Sequence, residues 1–168
     1  AQIYAARLKT GKKVIIKILK PDIKNIIDLD LNILWFVVSM INPLLNSMRR
    51  FKLLDVINEL ELTLNNEVDF RNEAANLIKI KNIINDDNHV YIPQVFWNFL
   101  CENILVIEYI DGINITNIKK LNILNLKTTD ISKALLDTFY TQVFKHKFFH
   151  ADLHPGIYLY LKIILKTQ

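Results

Sequence analysis

The chain has 168 residues, of which 51% are hydrophobic and 23% charged, so a disordered chain is excluded and one domain or two small lobes are predicted. Its net charge of +4 permits an anionic partner such as a nucleotide or a membrane surface, but is too small to indicate nucleic-acid binding. The single cysteine, Cys101, excludes an internal disulfide framework and fits a reducing compartment.

A β-hairpin is predicted at the start of the chain. Residues Gln2 to Arg7 and Val14 to Lys20 are short extended patterns, and Gly11 lies in the polar connector between them. The chain opens at Ala1 without an initiator methionine or a signal peptide, which indicates a fragment that begins inside a domain.

Lys17 is the one polar residue in the core of the second strand, whose sequence is Val-Ile-Ile-Lys-Ile-Leu-Lys. An ammonium group in the middle of a buried strand is costly unless it meets an anion. Two interpretations follow: an edge strand with Lys17 facing water, or a lysine directed into a cleft at phosphate oxygens.

A helix is predicted after Pro21-Asp22. Its apolar run from Ile33 to Ile41 is too short for a membrane span and is ended by Asn42-Pro43, so it indicates a buried helix or a partner surface. The residues that share one helical face are Ile27, Leu31, Leu34, Val38 and Ile41.

Two further helical patterns follow from about Phe51, separated by the polar group at 65–69. The first carries an apolar stripe and the second places Glu73 on the same face as Leu77. The first stripe consists of Val56, Leu60, Leu64 and Val68. A glutamate on an apolar face needs a partner, either Lys17 or, at the margin of the stripe, Lys79 or Lys81.

The second half of the chain begins with a turn at 85–88. Two strands are predicted next, Gln94 to Leu100 and Ile104 to Ile110, and then a polar stretch from Ile113 to Thr129. A helix capped by Thr129 or Asp130 is expected to run to about Lys147 and to be buried on most sides. The apolar residues of this helix are Ile131, Leu135, Leu136, Phe139, Tyr140, Val143 and Phe144.

The stretch Phe148 to Gly156 reads Phe-Phe-His-Ala-Asp-Leu-His-Pro-Gly and is predicted to be a loop. Its side chains His150, Asp152 and His154 allow three interpretations. They could bind a metal, orient or deprotonate a hydroxyl in phosphoryl transfer, or cap neighbouring backbone groups.

Four motifs in this order resemble the UbiB family of atypical, protein-kinase-like ATPases. They are Ala-Gln-Ile-Tyr-Ala-Ala-Arg-Leu-Lys-Thr-Gly, Val-Ile-Ile-Lys-Ile-Leu-Lys-Pro-Asp-Ile, Asn-Glu-Val-Asp-Phe-Arg-Asn-Glu-Ala-Ala-Asn and Phe-Phe-His-Ala-Asp-Leu-His-Pro-Gly. The resemblance implies an α+β, protein-kinase-like two-lobe core, truncated at both ends. The N-lobe would comprise residues 1–110, and residues 111–168 would form a partial C-lobe.

Residue roles follow from the same resemblance. It implies that Lys17 contacts the phosphates of ATP, that Glu73 is its partner, and that Asp152 is the catalytic aspartate. Glu67 and Asp69 match a Glu-x-Asp signature that lies against the nucleotide pocket. Ala1 and Gln2 resemble the end of an alanine-rich loop that covers the phosphates.

The resemblance also implies support of ubiquinone biosynthesis with ATP and Mg²⁺ as cofactors. The expected location is the bacterial cytoplasm or the cytoplasmic face of the inner membrane. Expected partners are the nucleotide and, by peripheral contact, the membrane or proteins of ubiquinone biosynthesis, with no nucleic acid. The helix around Trp35 and Phe36 is the expected membrane contact.

The chain departs from the family pattern at three places. The Lys-x-Gly-Gln helix and most of the alanine-rich loop would precede Ala1, and an Asp-Phe-Gly-like segment would follow Gln168. Ile157 follows Gly156, where the family motif has a magnesium-binding Asn. The alternative function is therefore an inactive truncated remnant that retains nucleotide or partner binding, and the expectation is that this chain hydrolyses ATP poorly. A biological truncation and an annotation artefact both fit these departures.

Overall fold

The computed structural model describes residues 1–41, 53–84, 90–148 and 159–160. Strand β1 (Gln2–Arg7), strand β2 (Lys13–Ile18) and helix α1 (Ile23–Ile41) come first, followed by helices α2 (Leu53–Glu67) and α3 (Phe70–Ile84). Strand β3 (Ile104–Glu108), strand β4 (Ile113–Asn114), helix α4 (Ile118–Ile123), helix α5 (Thr128–Tyr140) and strand β5 (Leu159–Tyr160) complete the described elements.

The main sheet is antiparallel, with the strand order β1-β2-β3. The predicted hairpin is confirmed, and Gly11 adopts a φ of +87° in its connector, a conformation that glycine reaches at little cost. Since β2 pairs on both sides, the edge-strand interpretation of Lys17 is wrong.

The core lies between this sheet and α3. Phe70 and Ala74 from α3 pack with Leu105 from β3 and with Val95, and all four side chains are buried. Leu105 is the cross-strand partner of Lys17, and directly paired residues point to the same face of a sheet. The side chain of Lys17 therefore starts on the face that α3 covers.

The segment predicted as a strand at Gln94 to Leu100 forms only local ladder contacts. Val95 bridges to Ile107, but Trp97–Phe99 is a 3₁₀ turn. Within that turn the amides of Phe99 and Leu100 donate to carbonyls three residues back, so they leave the ladder. The pattern did not show this because apolar and aromatic residues favour a strand, whereas the turn depends on local backbone hydrogen bonds.

Two further predictions need correction: the polar stretch after Ile113 contains a short helix, and the last helix, which is itself confirmed, lacks the predicted caps Thr129 and Asp130. The polar stretch after Ile113 contains α4, which begins after Asn117, whose side chain accepts a hydrogen bond from the amide of Lys120. Helix α5 begins at Thr128 without a side-chain cap and passes into a π-helical turn at Thr141–Lys145.

Burial of the helices differs from expectation. Leu136 and Tyr140 of α5 and Phe144 of the π-helical turn that follows are exposed, so the predicted helix is not buried on most sides. In α2 the buried residue is Ile57, whereas Val56 of the predicted stripe is 62% exposed. Residue Leu31 is the buried residue of α1, on the predicted face.

Helix α1 packs on α2 but presents a second apolar stripe to solvent. No helix in the described ranges is long and apolar enough to cross a bilayer. The stripe recurs at alternate spacings of three and four residues, as on a helix that packs against another helix. It consists of Ile26, Leu29, Ile33, Phe36 and Met40, each at least half exposed. The interpretation of α1 as a buried helix is therefore wrong, and a partner surface remains the prediction.

Candidate functional site: a lysine–glutamate pair under the sheet

Lys17 and Glu73 form an ion pair between the central strand and α3. The Nζ of Lys17 donates to both carboxylate oxygens of Glu73, at 2.6 Å and 2.7 Å. The two side chains are 22% and 38% exposed. Short, charge-assisted bonds of this kind fix both groups more firmly than a solvated surface pair does. The predicted pair is present, and the interpretation that Glu73 pairs with Lys79 or Lys81 is wrong.

Phe70 forms one wall of the pair, which the sequence analysis missed. Its buried ring lies 5.5 Å from the Nζ of Lys17. A cation over an aromatic face gains electrostatic stabilisation, and the ring also keeps water from one side of the ammonium group. The available signal was the spacing, since Phe70 and Glu73 are three residues apart on one helix face.

Asp69 begins α3 as its capping residue. Its Oδ1 accepts from the backbone amide of Arg71, and its two oxygens accept from the guanidinium of Arg71 at 2.7 to 3.1 Å. The bonds from Arg71 hold the pKa of Asp69 below its usual value. Asp69 therefore stays ionised at neutral pH and is occupied by its neighbour.

A charged network continues from Arg71. Its guanidinium lies 3.8 Å from the carboxylate of Glu102, which also pairs with Lys24 of α1. The amide of Phe70 donates to the carbonyl of Glu102 at 2.9 Å. These contacts tie the start of α3 to α1 and to the turn before β3, so they fix the end of the helix nearest the ion pair.

The remaining candidate residues lie in three situations. Glu67 ends α2, is exposed, and has no side-chain partner among the described residues. Gln2 begins β1 opposite Ile18, beside the strand position of Lys17, and Ala1 precedes it. Asp152, with His150 and His154, lies outside the described residues.

In the segment before β3, Tyr91 donates a hydrogen bond of 2.6 Å to Glu108 at the end of that strand. This bond, with partial burial, raises the pKa of Tyr91 to about 12. The amide of Gln94 donates to the same carboxylate at 3.1 Å. The carboxylate of Glu108 is thereby held on the segment before β3.

The sequence profile of the ABC1 atypical kinase-like domain matches residues 1–163. The chain belongs to this family of atypical kinase-like domains. A relative named "Probable protein kinase UbiB" from Vibrio vulnificus is 39% identical over 159 residues, which are 93% of this chain and 29% of the relative. A protein of the same name from Photorhabdus laumondii is 35% identical over 157 residues.

A solved structure supports the fold of this ABC1-family chain. It is a complex of Rv3197 with erythromycin from Mycobacterium tuberculosis, with a TM-score of 0.72 over 96% of this chain and 40% of that one. At 22% identity this likeness concerns the fold alone. The α+β, kinase-like fold class and the resemblance to the UbiB family are confirmed. The boundary at residue 110 between two lobes stays a prediction.

We expect the Lys17–Glu73 pair to contribute measurably to stability. In urea unfolding, a double-mutant cycle of Lys17→Met and Glu73→Gln should give a coupling energy of about 1 kcal/mol, since the pair is partly screened by solvent. Lys20→Met, which removes an exposed charge just after β2, should show no coupling to Glu73→Gln. Additivity of Lys17→Met and Glu73→Gln would contradict an intact pair in solution.

Proposed function

We propose that this chain forms the ATP-binding part of a UbiB-like atypical kinase or ATPase that supports ubiquinone biosynthesis. The observation that carries the proposal is the bidentate ion pair of Lys17 and Glu73 between the central strand and α3. A family of atypical kinase-like domains and relatives named as UbiB protein kinases support it. Since the chain spans 29% of the length of those relatives, their whole activity is proposed here and not transferred.

The chemistry of the pair suits phosphate binding. The ammonium group of Lys17 can donate three hydrogen bonds. Its bonds to Glu73 hold the long side chain of Lys17 in one direction. A lysine restrained in this way loses less conformational entropy when a phosphate oxygen arrives. We assign Lys17 to phosphate binding, Glu73 to its orientation, and Glu67 and Asp69 to the wall of the nucleotide pocket.

Asp69 fits this role only with its Arg71 partner in place. Because Arg71 neutralises its charge, Asp69 does not repel a polyphosphate as an isolated carboxylate would. Glu67, which has no described partner, is the carboxylate of the signature that is free to take a ligand. Ala1 and Gln2 are assigned to the phosphate cover from their position beside the strand that carries Lys17.

Magnesium ions would neutralise charge on the phosphates of bound ATP. Among the described residues, no group of three or more His, Cys, Asp or Glu side chains could hold a metal ion. Ile157 stands where the family motif carries a ligating Asn, and its side chain has no donor atom. Asp152 is assigned to orienting the nucleophile, a role that needs only its carboxylate.

The substitution at Ile157 favours a second candidate function. A chain that keeps Lys17 and Glu73 but lacks this Asn would bind nucleotide without turning it over. Nucleotide affinity and turnover therefore have to be measured separately.

We expect ATP to bind, and Lys17→Met to weaken binding by about 10- to 100-fold, because charge-assisted hydrogen bonds to phosphate are lost. Glu73→Gln should weaken it several-fold by releasing Lys17. Lys20→Gln, which removes an exposed charge beyond the end of β2, should leave the affinity unchanged. Isothermal titration calorimetry measures the affinity of each variant for ATP and, as the comparison without phosphates, for adenosine. Equal affinity of wild type and Lys17→Met for ATP would exclude phosphate binding by Lys17.

We expect turnover of ATP by this chain to stay near background. Removing one preorganised electrostatic group costs about 100- to 1,000-fold in rate. A chimera that continues after Gly156 with the corresponding segment of the Vibrio relative should gain magnesium-dependent turnover, and Asp152→Asn should abolish that gain. Magnesium-dependent turnover by the unmodified chain that disappears on Asp152→Asn would identify it as an enzyme and exclude the remnant.

We also propose peripheral membrane contact through the exposed stripe of α1. No charged residue occurs from Leu31 to Ile41, so this half of the helix offers an apolar surface. Phe36, near its middle, is 64% exposed. A helix of a partner protein is the other occupant that the spacing of the stripe would suit.

Liposome flotation should show binding that carbonate washing reverses. Phe36→Asp should abolish it because a carboxylate is costly to insert among acyl chains. Phe99→Asp is the matched control, since Phe99 is 50% exposed on the 3₁₀ turn. Retention after carbonate washing would contradict peripheral attachment. Absence of flotation would favour the partner helix.

A further inference from the structure

A second contact of α3 joins it to the end of the α5 segment. The Nζ of Lys79 lies 3.8 Å from the centroid of the Phe148 ring. The other lysine–aromatic contacts among the described residues have distances of 5.5 to 5.8 Å. This is therefore the shortest lysine–aromatic contact in the described part of the chain, within the range in which a cation is attracted to a ring face.

Phe148 is itself anchored. Its amide donates to the carbonyl of Gln142 at 3.1 Å, and the amide of His146 donates to the carbonyl of Thr141 at 3.3 Å. Gln142 belongs to the π-helical turn and is buried. The ring that Lys79 contacts therefore belongs to a residue whose backbone is hydrogen-bonded to the π-helical turn.

Helix α3 thus makes two charged side-chain contacts with other parts of the chain. Glu73 holds it to the central strand through Lys17, and Lys79 holds it to Phe148. Lys79 follows Glu73 by six positions, which places them about 9 Å apart along the axis of one continuous helix. Because both residues belong to one continuous helix, a displacement of α3 as a unit would alter both contacts.

Phe148 also lies close in sequence to the proposed catalytic residue. Four residues lead from Phe148 to Asp152, so the chain can span at most about 14 Å between them. We infer that Lys79 is a positioning residue, which couples the Lys17–Glu73 pair through α3 to Phe148 and the π-helical turn that holds it. The catalytic meaning of this coupling rests on the proposed function, whereas the coupling itself is a property of the nucleotide-free protein.

A local role for Lys79 makes a different prediction. If its stem merely covered Phe148, as long side chains often cover apolar surface, loss of Lys79 would loosen Phe148 whatever the state of Glu73. If α3 transmits strain between the two contacts, the effect of a change at Glu73 on Phe148 must depend on Lys79. The two roles are separated by a double-mutant cycle read at Phe148.

Amide hydrogen exchange followed by NMR in nucleotide-free protein tests the inference. Glu73→Gln should raise the exchange rates of the Phe148 and His146 amides by about fivefold, because α3 loses its tie to β2. In the Lys79→Gln variant, adding Glu73→Gln should not raise these two exchange rates further. Lys79→Arg should restore the dependence, because a guanidinium group also binds an aromatic face. Phe148→Leu should remove the dependence at His146.

Lys81→Gln is the matched control, since it removes the same charge from the same helix two residues further on. It should leave the effect of Glu73→Gln intact, and urea unfolding of each variant serves as the check that it remains folded. An effect of Glu73→Gln that is absent, or equal with and without Lys79, would overturn the inference. Loss of the dependence in Lys81→Gln would overturn it as well. Failure to bind ATP in the titrations would overturn the proposed function but not the coupling.

Discussion

The ion pair of Lys17 and Glu73 is the interaction on which the described part of the chain depends. A lysine in the central strand of a sheet is tolerable only if an anion meets it on the covered face. That requirement fixes the rotation of α3, because Glu73 must point at β2 while Phe70 and Ala74 enter the core beside Leu105. The charged network of Asp69, Arg71 and Glu102 then holds the start of the helix in that rotation.

The pair could be predicted from the sequence because each partner is a lone charge in an apolar pattern. A buried charge is costly wherever it lies in the fold, so a charged residue at a buried position of a periodic apolar pattern indicates that it has a partner. This was sufficient to predict the pairing of Lys17 with Glu73. The involvement of Phe70 and Lys79 could not be found in this way. Both are ordinary members of a helix, and their contacts depend on which ring or cation the tertiary fold brings to them.

The errors in the predicted elements have a common physical origin. Helix α4 is six residues long and relies on its Asn117 cap, and the 3₁₀ turn after Val95 relies on local hydrogen bonds. Neither has enough residues to establish a hydrophobic period. By contrast, the bounds of α2 and α3 followed closely from the polar interruption at 65–69, because long helices carry the strongest periodic signal. The segment with His150, Asp152 and His154 was singled out from sequence and lies outside the described residues.

The exposed apolar faces and the partly buried ion pair place opposite requirements on the same fold. The sheet and α3 bury a core that holds the candidate phosphate site, whereas α1 and α5 present apolar side chains to solvent. Large exposed apolar patches are characteristic of surfaces that meet another molecule. Helix α1 is linked to the site by the ion pair of Lys24 with Glu102, and Glu102 accepts from the amide of Phe70. A molecule that binds to α1 would therefore act on the start of α3 through the ion pair and the hydrogen bond of Glu102. A movement of α3 would also move Glu73.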